Sequence, residues 1–296
     1  MPFTSLVEPV SQRPNIQWIE SRKCFLYARI RDQLSIVDWL SFGAVGQTVL
    51  LLLLGRIALA PLVIYLFLQI MGATLHSIGI GRNQYMEGVI PQPVSSQMPS
   101  STGVFEQPSS RDVVVLLLGT RVNHPLGVLA PGAVKMAKYF GAMMTELNEN
   151  ASQYCLLGAS NGWLEADRET HNNIMTVFYF ENIEGLHKFA HGPLHREAVK
   201  WYHSTVKDYP HLSIWHETFH SPAGHWETVY GGSAPTLMGR TTYRVEMEGR
   251  SGEKEMKWLN PLVDASRGLL KSASGRLGRL QRSRQELAHQ NSKYTL

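Results

Sequence analysis

Cysteine is scarce in this sequence. Cys24 and Cys155 are the only two in 296 residues, too few for the disulfide framework on which small secreted domains depend. Both read as structural thiols, which suits a reducing, cytosol-facing globular part. Cofactor signatures are missing too. No phosphate loop, no G-x-G-x-x-G behind a strand, no C-x-x-C pair and no serine in a nucleophile elbow occurs. The Gly- and Pro-bounded stretch 232–240 is a loop and not a phosphate cradle, so chemistry on a nucleotide cofactor has no support. Net charge is small, at +4, with the basic excess gathered at residues 22–31 and 267–284, which makes nucleic acid a poor partner.

Charge is absent altogether from residues 39–55, and again, after Arg56, from residues 57–75. These stretches include five consecutive leucines at 50–54 and the run VIYLFLQIM at 63–71. Spanning the hydrocarbon of a bilayer as a helix takes about 20 apolar residues, with a lower limit near 17. Residues 39–81 are therefore expected to form a membrane anchor, since a soluble helix would keep a polar face. Two topologies stay open: a helical hairpin turning near Arg56, or one span with Arg56 at an interface, where its charge avoids the bilayer centre. Basic residues on both flanks, at 22–31 and at Arg82, suit a hairpin with both ends cytosolic. Residues 1–38 are mixed and polar and resemble no cleavable leader. An uncleaved anchor makes the endoplasmic reticulum the default membrane.

Residues 82–110, rich in Pro, Ser and Gln, are expected to be a flexible linker. Residues 241–296 are expected to be a basic, poorly ordered tail. Between them, residues 111–240 alternate between strand and helix patterns. The β-branched run DVVVLLLGTRV at 112–122 predicts a buried strand. Pro131 opens a helical pattern through Val134, Ala137, Met144 and Leu147 that stops at Asn148 and Asn150. Strands follow at 154–164, with an irregularity at Gly158, and at 174–180. Residues 183–206 are helical with a break at Gly192-Pro193, and 212–219 is the last strand. The order β-α-β-β-α-β predicts an α+β, ferredoxin-like domain, one sheet with two helices on one face.

Within this frame the segment GTRVN at 119–123, the Trp201 helix, IWHETF at 214–219, Pro222-Ala223-Gly224 and VYGG at 229–232 resemble a dimeric α+β barrel family. That family is related to the antibiotic biosynthesis monooxygenases and, in filamentous fungi, is associated with secondary-metabolite gene clusters, fumagillin-type terpenoid pathways among them. The resemblance implies a homodimer packed sheet against sheet, with a pocket between each sheet and its own helices. It further implies a monooxygenase working on a lipophilic terpenoid or polyketide intermediate and dioxygen without bound metal or flavin, a substrate carbanion or enolate handing an electron to oxygen. The same scaffold also carries haem enzymes and pure binders. A haem enzyme, with His195 or His216 as axial ligand, and a non-catalytic assembly partner therefore stand as alternatives.

Cofactor-free oxygenation needs a base, and a histidine near pKa 6.5 is the simplest one at neutral pH. Nine of the twelve histidines lie from His171 to His225. His191 and His195 have the four-residue spacing of a metal pair, but Gly192-Pro193 interrupts the helix and no third ligand has a fixed spacing, so no metal site is expected. His195 is a candidate base or substrate-orienting group, or else a helix-surface histidine. In the last strand Ile214, His216 and Thr218 share one face, and Trp215, Glu217 and Phe219 the other. If the aromatic set lies under the helices, Glu217 is a buried carboxylate with a catalytic role. If not, His216 faces the pocket or the dimer seam. Trp163, Trp201, Trp226 and Tyr230 line a substrate cavity or are plain core. Asn172 orients an oxyanion or belongs to a turn.

Overall fold

The computed structural model describes residues 3–166, 173–248 and 252–279. Short helices α1 (Gln17–Glu20) and α2 (Arg22–Arg31) precede two long apolar ones, α3 (Ile36–Leu54) and α4 (Ala60–Ser77). Ser35 starts α3 with a capping box, its hydroxyl accepting from the Asp38 amide while Asp38 accepts from the Ser35 amide. Gly55, at φ +63°, ends it, and a 3-10 turn over Gly55–Leu59 reverses the chain. The Gln47 side chain donates to the Ala58 carbonyl at 3.2 Å. On a straight helix those residues would stand about 16 Å apart, so the apolar segment doubles back. Neither α3 nor α4 buries a single residue.

After strand β1 (Val94–Ser96) come β2 (Val113–Val122), α5 (Ala133–Glu149), β3 (Leu156–Ala159), β4 (Trp163–Leu164), β5 (Asn173–Phe180), α6 (Ile183–Ala190), α7 (Pro193–Thr205) and β6 (Leu212–Ser221). The antiparallel sheet has the order β3-β5-β2-β6, with β4 also on β5. That is the ferredoxin-like arrangement the element order predicts. Of its local causes only the Pro193 start is the expected one; α5 opens at Ala133, two residues after the expected Pro131. Gly132 takes φ +80° just before α5, Asn182 caps α6 by accepting from the Gly185 amide at 2.8 Å, and Pro193 opens α7. The glycine irregularity falls where the β3–β5 register shifts, between Leu156 and Gly158.

Period-two alternation on β2 divides the core. Val114, Leu116 and Leu118 face α5 and α6 with Phe178, Phe180, Met144, Leu147, Leu186 and Phe189. Val113, Val115 and Leu117 face the opposite way with Val177 and Tyr179.

That opposite face differs from expectation. The resemblance leaves it for a second protomer, yet much of it is covered by this chain's own residues 94–105 and 226–270: Met98, Phe105, Trp226, Met238, Tyr243, Val245, Leu259, Val263 and Leu270 pack there. Residues 94–98, read as linker, are buried, and β1 pairs with β9 (Leu262–Asp264). Their polar composition misleads because the Ser95 and Gln97 side chains are hydrogen-bonded in place and a Thr228 hydroxyl takes up the Ser96 amide. Gln97 Oε1 accepts from the Ser109 amide at 2.8 Å, and Thr228 Oγ1 accepts from the Ser96 amide at 2.7 Å. The expected tail likewise begins as structure. A hairpin of β7 (Tyr243–Glu248) and β8 (Lys254–Leu259) is followed by β9 and α8 (Ala273–Arg276), where buried Arg276 pairs with Glu227 at 2.5 Å. Residues 280–296 lie outside the described residues.

The N-terminal segment is also part of this body. Phe3, Ser5 and Val10 make antiparallel bridges to Phe105, Val263 and Trp258. Ile16 and Trp18 are buried in the helix-side core, Trp18 edge-on to Phe140 of α5 at 5.8 Å. The flanks of the α3–α4 hairpin on both sides are thus woven into one domain.

Candidate functional site

Strand register decides which residues of β6 join the helix side. Leu118 pairs with His216, Leu116 with Thr218 and Thr120 with Ile214, and paired residues of an antiparallel ladder share a face. His216, Ile214 and Thr218 therefore stand on the helix side. Trp215, Glu217 and Phe219 stand on the other, which corrects the conditional reading of Glu217. It is exposed on an edge strand opposite Leu117 and is no buried acid. Trp215 lies flat over Gly119, where an added Cβ would come within 2.1 Å of the indole, and its Nε1–H donates to Asn173 Oδ1 at 3.1 Å. A glycine is required at 119 for that approach.

His195 sits in the first turn of α7, half-buried, with its ring edge-on to Phe189 at 5.5 Å. Phe189 belongs to the apolar cluster that includes Leu116, onto which Leu118, Phe140 and Met143 also pack. Burial pulls the His195 pKa below 6.5, and the neighbouring His216 and His191 pull the same way. A hydrogen bond to the Ala190 backbone and the Glu146 carboxylate oppose them. The structure thus brings His195 and His216 into each other's electrostatic field, one on α7 and one on the edge strand. His191 does not share a helix face with His195, because it caps α6 before the extended Gly192 (φ −63°, ψ 154°) starts a new helix. Among the described residues no three His, Cys, Asp or Glu side chains converge as a metal site.

Two groups that the sequence reading passed over complete this corner. Tyr154, buried, donates its hydroxyl to Glu146 Oε1 at 2.6 Å, and that bond to a carboxylate raises the phenol to about 12. Glu146 lies on α5 between the inward-facing Met143 and Leu147. A helical projection could have marked it as an acid on the border of an apolar stripe. Its tie to Tyr154, just past the end of the helix, has no sequence signal.

The aromatic candidates do not gather into one cavity. Trp163 pairs with Met175 across β4–β5 on the face away from the helices and is largely exposed. Tyr230 is bridged to Val94, and its hydroxyl accepts from the Gly239 amide at 3.0 Å, also on that far side. Trp226 is buried there and donates Nε1–H to the Arg111 carbonyl at 2.7 Å. Trp201 alone is on the helix side, between α5 and α7, with Tyr139 at 5.5 Å and the Lys135 ammonium 5.3 Å from its ring. Asn172 falls outside the described residues.

Comparison with known proteins adds the following. A family described as Monooxygenase af470-like matches residues 113–238, from the first strand of the sheet to the turn after Tyr230. A curated protein of Aspergillus fumigatus, "Monooxygenase af470", is 33% identical over 251 residues, which cover 84% of this chain and 89% of that protein. Among solved structures, the aldoxime dehydratase OxdRE in complex with butyraldoxime overlaps at 10% identity and a TM-score of 0.37, over 51% of this chain and 43% of that one. SnoaB, a cofactor-independent oxygenase from Streptomyces nogalater, overlaps at 13% identity and a TM-score of 0.26, over 36% of this chain and 91% of that one. Structural overlaps this small carry no weight for fold or chemistry. The strand order and register above stand independently of them.

Proposed function

We propose that this chain, which belongs to the Monooxygenase af470-like family, is a membrane-anchored monooxygenase that oxygenates a lipophilic secondary-metabolite intermediate, a terpenoid or polyketide. One observation carries the chemistry: a half-buried imidazole, His195, packed edge-on to Phe189 and with its pKa lowered by burial, at a site whose far wall is an exposed edge strand. A neutral imidazole is a competent general base. It takes the proton of an acidic C–H or phenol. The resulting carbanion passes one electron to dioxygen, and recombination of the two radicals gives a peroxide anion. Loss of water from the protonated peroxide leaves one oxygen atom on the substrate, both electrons for the second atom having come from the substrate itself. No metal or flavin is required by that balance. His216 orients the substrate from β6, and Glu146, braced by Tyr154, offsets part of the burial penalty on His195.

Anchoring fits the substrate class, since greasy intermediates partition into bilayers. The stretch Ile36–Ser77 is long and apolar enough to cross a membrane, and α3 and α4, at about 28 and 27 Å by helical rise, each match a hydrocarbon core of about 30 Å. The cytosolic face of the endoplasmic reticulum is the setting we assign, with a homodimer formed through the uncovered part of the sheet around Trp215, Glu217 and Phe219.

The test uses purified full-length protein in nanodiscs, offered terpenoid and polyketide intermediates that carry an acidic C–H or phenol, under ¹⁸O₂. The expected product gains one ¹⁸O atom in the presence of chelator and without added reductant. A strict requirement for added metal or reductant, or a Soret band in active protein, would overturn the cofactor-free reading.

A further inference from the structure

We infer that the domain does not hang from its anchor on a tether but rests on the bilayer, with the loop 124–134 and helix α2 embedded at the headgroup–acyl boundary. This rests on the anchored reading above and adds a second lipid contact to it. The loop before α5 is fixed to the base of the hairpin: Gln33 Oε1, three residues ahead of α3, accepts from the Val128 amide at 2.7 Å. An added Cβ on Gly127 would come within 1.8 Å of that oxygen. The loop is therefore held where the chain enters the apolar segment. Held there, it presents Leu126 at 56% and Leu129 at 74% exposure, and Val134 in the first turn of α5 adds 56%. Three large apolar side chains facing outward within nine residues are unusual for a loop that meets only water.

On the other side of Gln33, α2 adds exposed Leu26, Tyr27 and Ile30. Arg22, Lys23 and Arg31 stand on the same helix, and Lys135 and Lys138 are on the first turns of α5. Apolar side chains interleaved with lysine and arginine, beside an apolar helix, are the composition of an interfacial contact with anionic lipid. Trp39, whose indole donates to the Arg31 carbonyl at 2.7 Å, sits at the level such rings favour. The occupant is thus the lipid surface itself, continuous with the hairpin.

This seating has a consequence for the site. β2 and β6 meet the loop at their Val122 and Leu212 ends, with the Asn123 amide donating to the His211 carbonyl at 2.7 Å. The helix-side face of β6, where His216 stands, consequently has one end at the lipid surface.

The experiment places an environment-sensitive fluorophore on single cysteines in the full chain, with Cys24 and Cys155 replaced by serine, reconstituted in vesicles containing phosphatidylserine. Sites are Leu129→Cys, Leu126→Cys, Leu52→Cys within the hairpin and Met256→Cys on the far β8 strand, each accepted only with native near-ultraviolet circular dichroism. We expect blue-shifted emission, lost on adding shallow doxyl-labelled lipid, at 129 and 126. Leu52→Cys should be quenched by deep doxyl lipid and Met256→Cys by neither. Aqueous emission at 129 and 126 with Leu52→Cys still quenched would overturn the docked seating alone. Aqueous emission at 52 as well would overturn the anchor together with it.

Discussion

His195 is the residue whose surroundings can be read most directly as behaviour. Burial lowers its pKa, and a base is active only when unprotonated, so kcat/KM should be flat near neutral pH and fall on an acid limb lying below pH 6.5. The neighbours fix the direction of change. His216→Ala removes a positive neighbour that holds the pKa down, so the limb should move to higher pH. Glu146→Gln removes a negative one, so it should move lower. A pH profile in which neither variant moves the limb would exclude His195 as the titrating base. His195→Ala itself should lower kcat by about 10²–10⁴, the usual contribution of general acid–base catalysis, with circular dichroism unchanged. Tyr154→Phe leaves the fold but takes a hydrogen bond from a carboxylate, which predicts a loss of roughly 1.5–3 kcal/mol in denaturant unfolding.

At this scale the sequence was informative about type and silent about direction. Spacing alone divides 214, 216 and 218 from 215, 217 and 219, but only the β2–β6 register says which set faces the helices. The same limit explains Trp163, Trp201 and Tyr230: each is a large aromatic in a plausible place, and the sheet separates them.

Among elements, the strands and helices from 113 to 221 follow closely from hydrophobic period and the Pro193 start, while the Gly132 and Asn182 caps came only with the structure. Two stretches were illegible. The Ser- and Gln-rich 94–98 lies buried with Gln97 accepting from the Ser109 amide and Ser95 bonded to Gln97 and Thr228, and composition does not report partners. Residues 3–18 show no strand alternation because they pair through isolated bridges. Trp18 is the sharp test of that N-terminal segment. Buried against Phe140, it should cost about 3–5 kcal/mol when replaced by alanine, read as a lower denaturant midpoint for the sheet domain. A segment lying free of the domain would show no change. Gly119→Val would drive its side chain into the Trp215 ring, so the edge strand must shift. We expect a loss of about 1–3 kcal/mol from overpacking and a change in tryptophan emission.

For the whole molecule, the decisive fact is that one domain holds both flanks of the α3–α4 hairpin. A single crossing would pull Val10 and Ile90 to opposite sides of the bilayer, yet Val10 bridges Trp258 and Ile90 bridges Ser233 in the same body. Hydrophobicity left one span and two open, and on the anchored reading proposed above the long-range pairing favours an entry and exit on one side. Impermeant maleimide applied to sealed vesicles should therefore label Glu8→Cys and Met256→Cys together or not at all, and Arg56→Cys in the converse preparation. Labelling of 8 and 256 from different sides would refute the hairpin.

The N-terminal strap also has a timetable. Ser5 donates its hydroxyl to the Asn260 carbonyl, 255 positions along the chain, so nearly the whole polypeptide must leave the ribosome before that contact can close. Translation adds about 5–20 residues each second, which on the anchored reading leaves the leucine-rich helices many seconds to enter lipid before Ser5 and Val10 can meet Asn260 and Trp258. On that reading insertion comes first and the strap's contacts with residues 258–263 close last. A ribosome stalled before codon 258 would leave residues 5–10 open to protease, even with Trp18 already seated against Phe140.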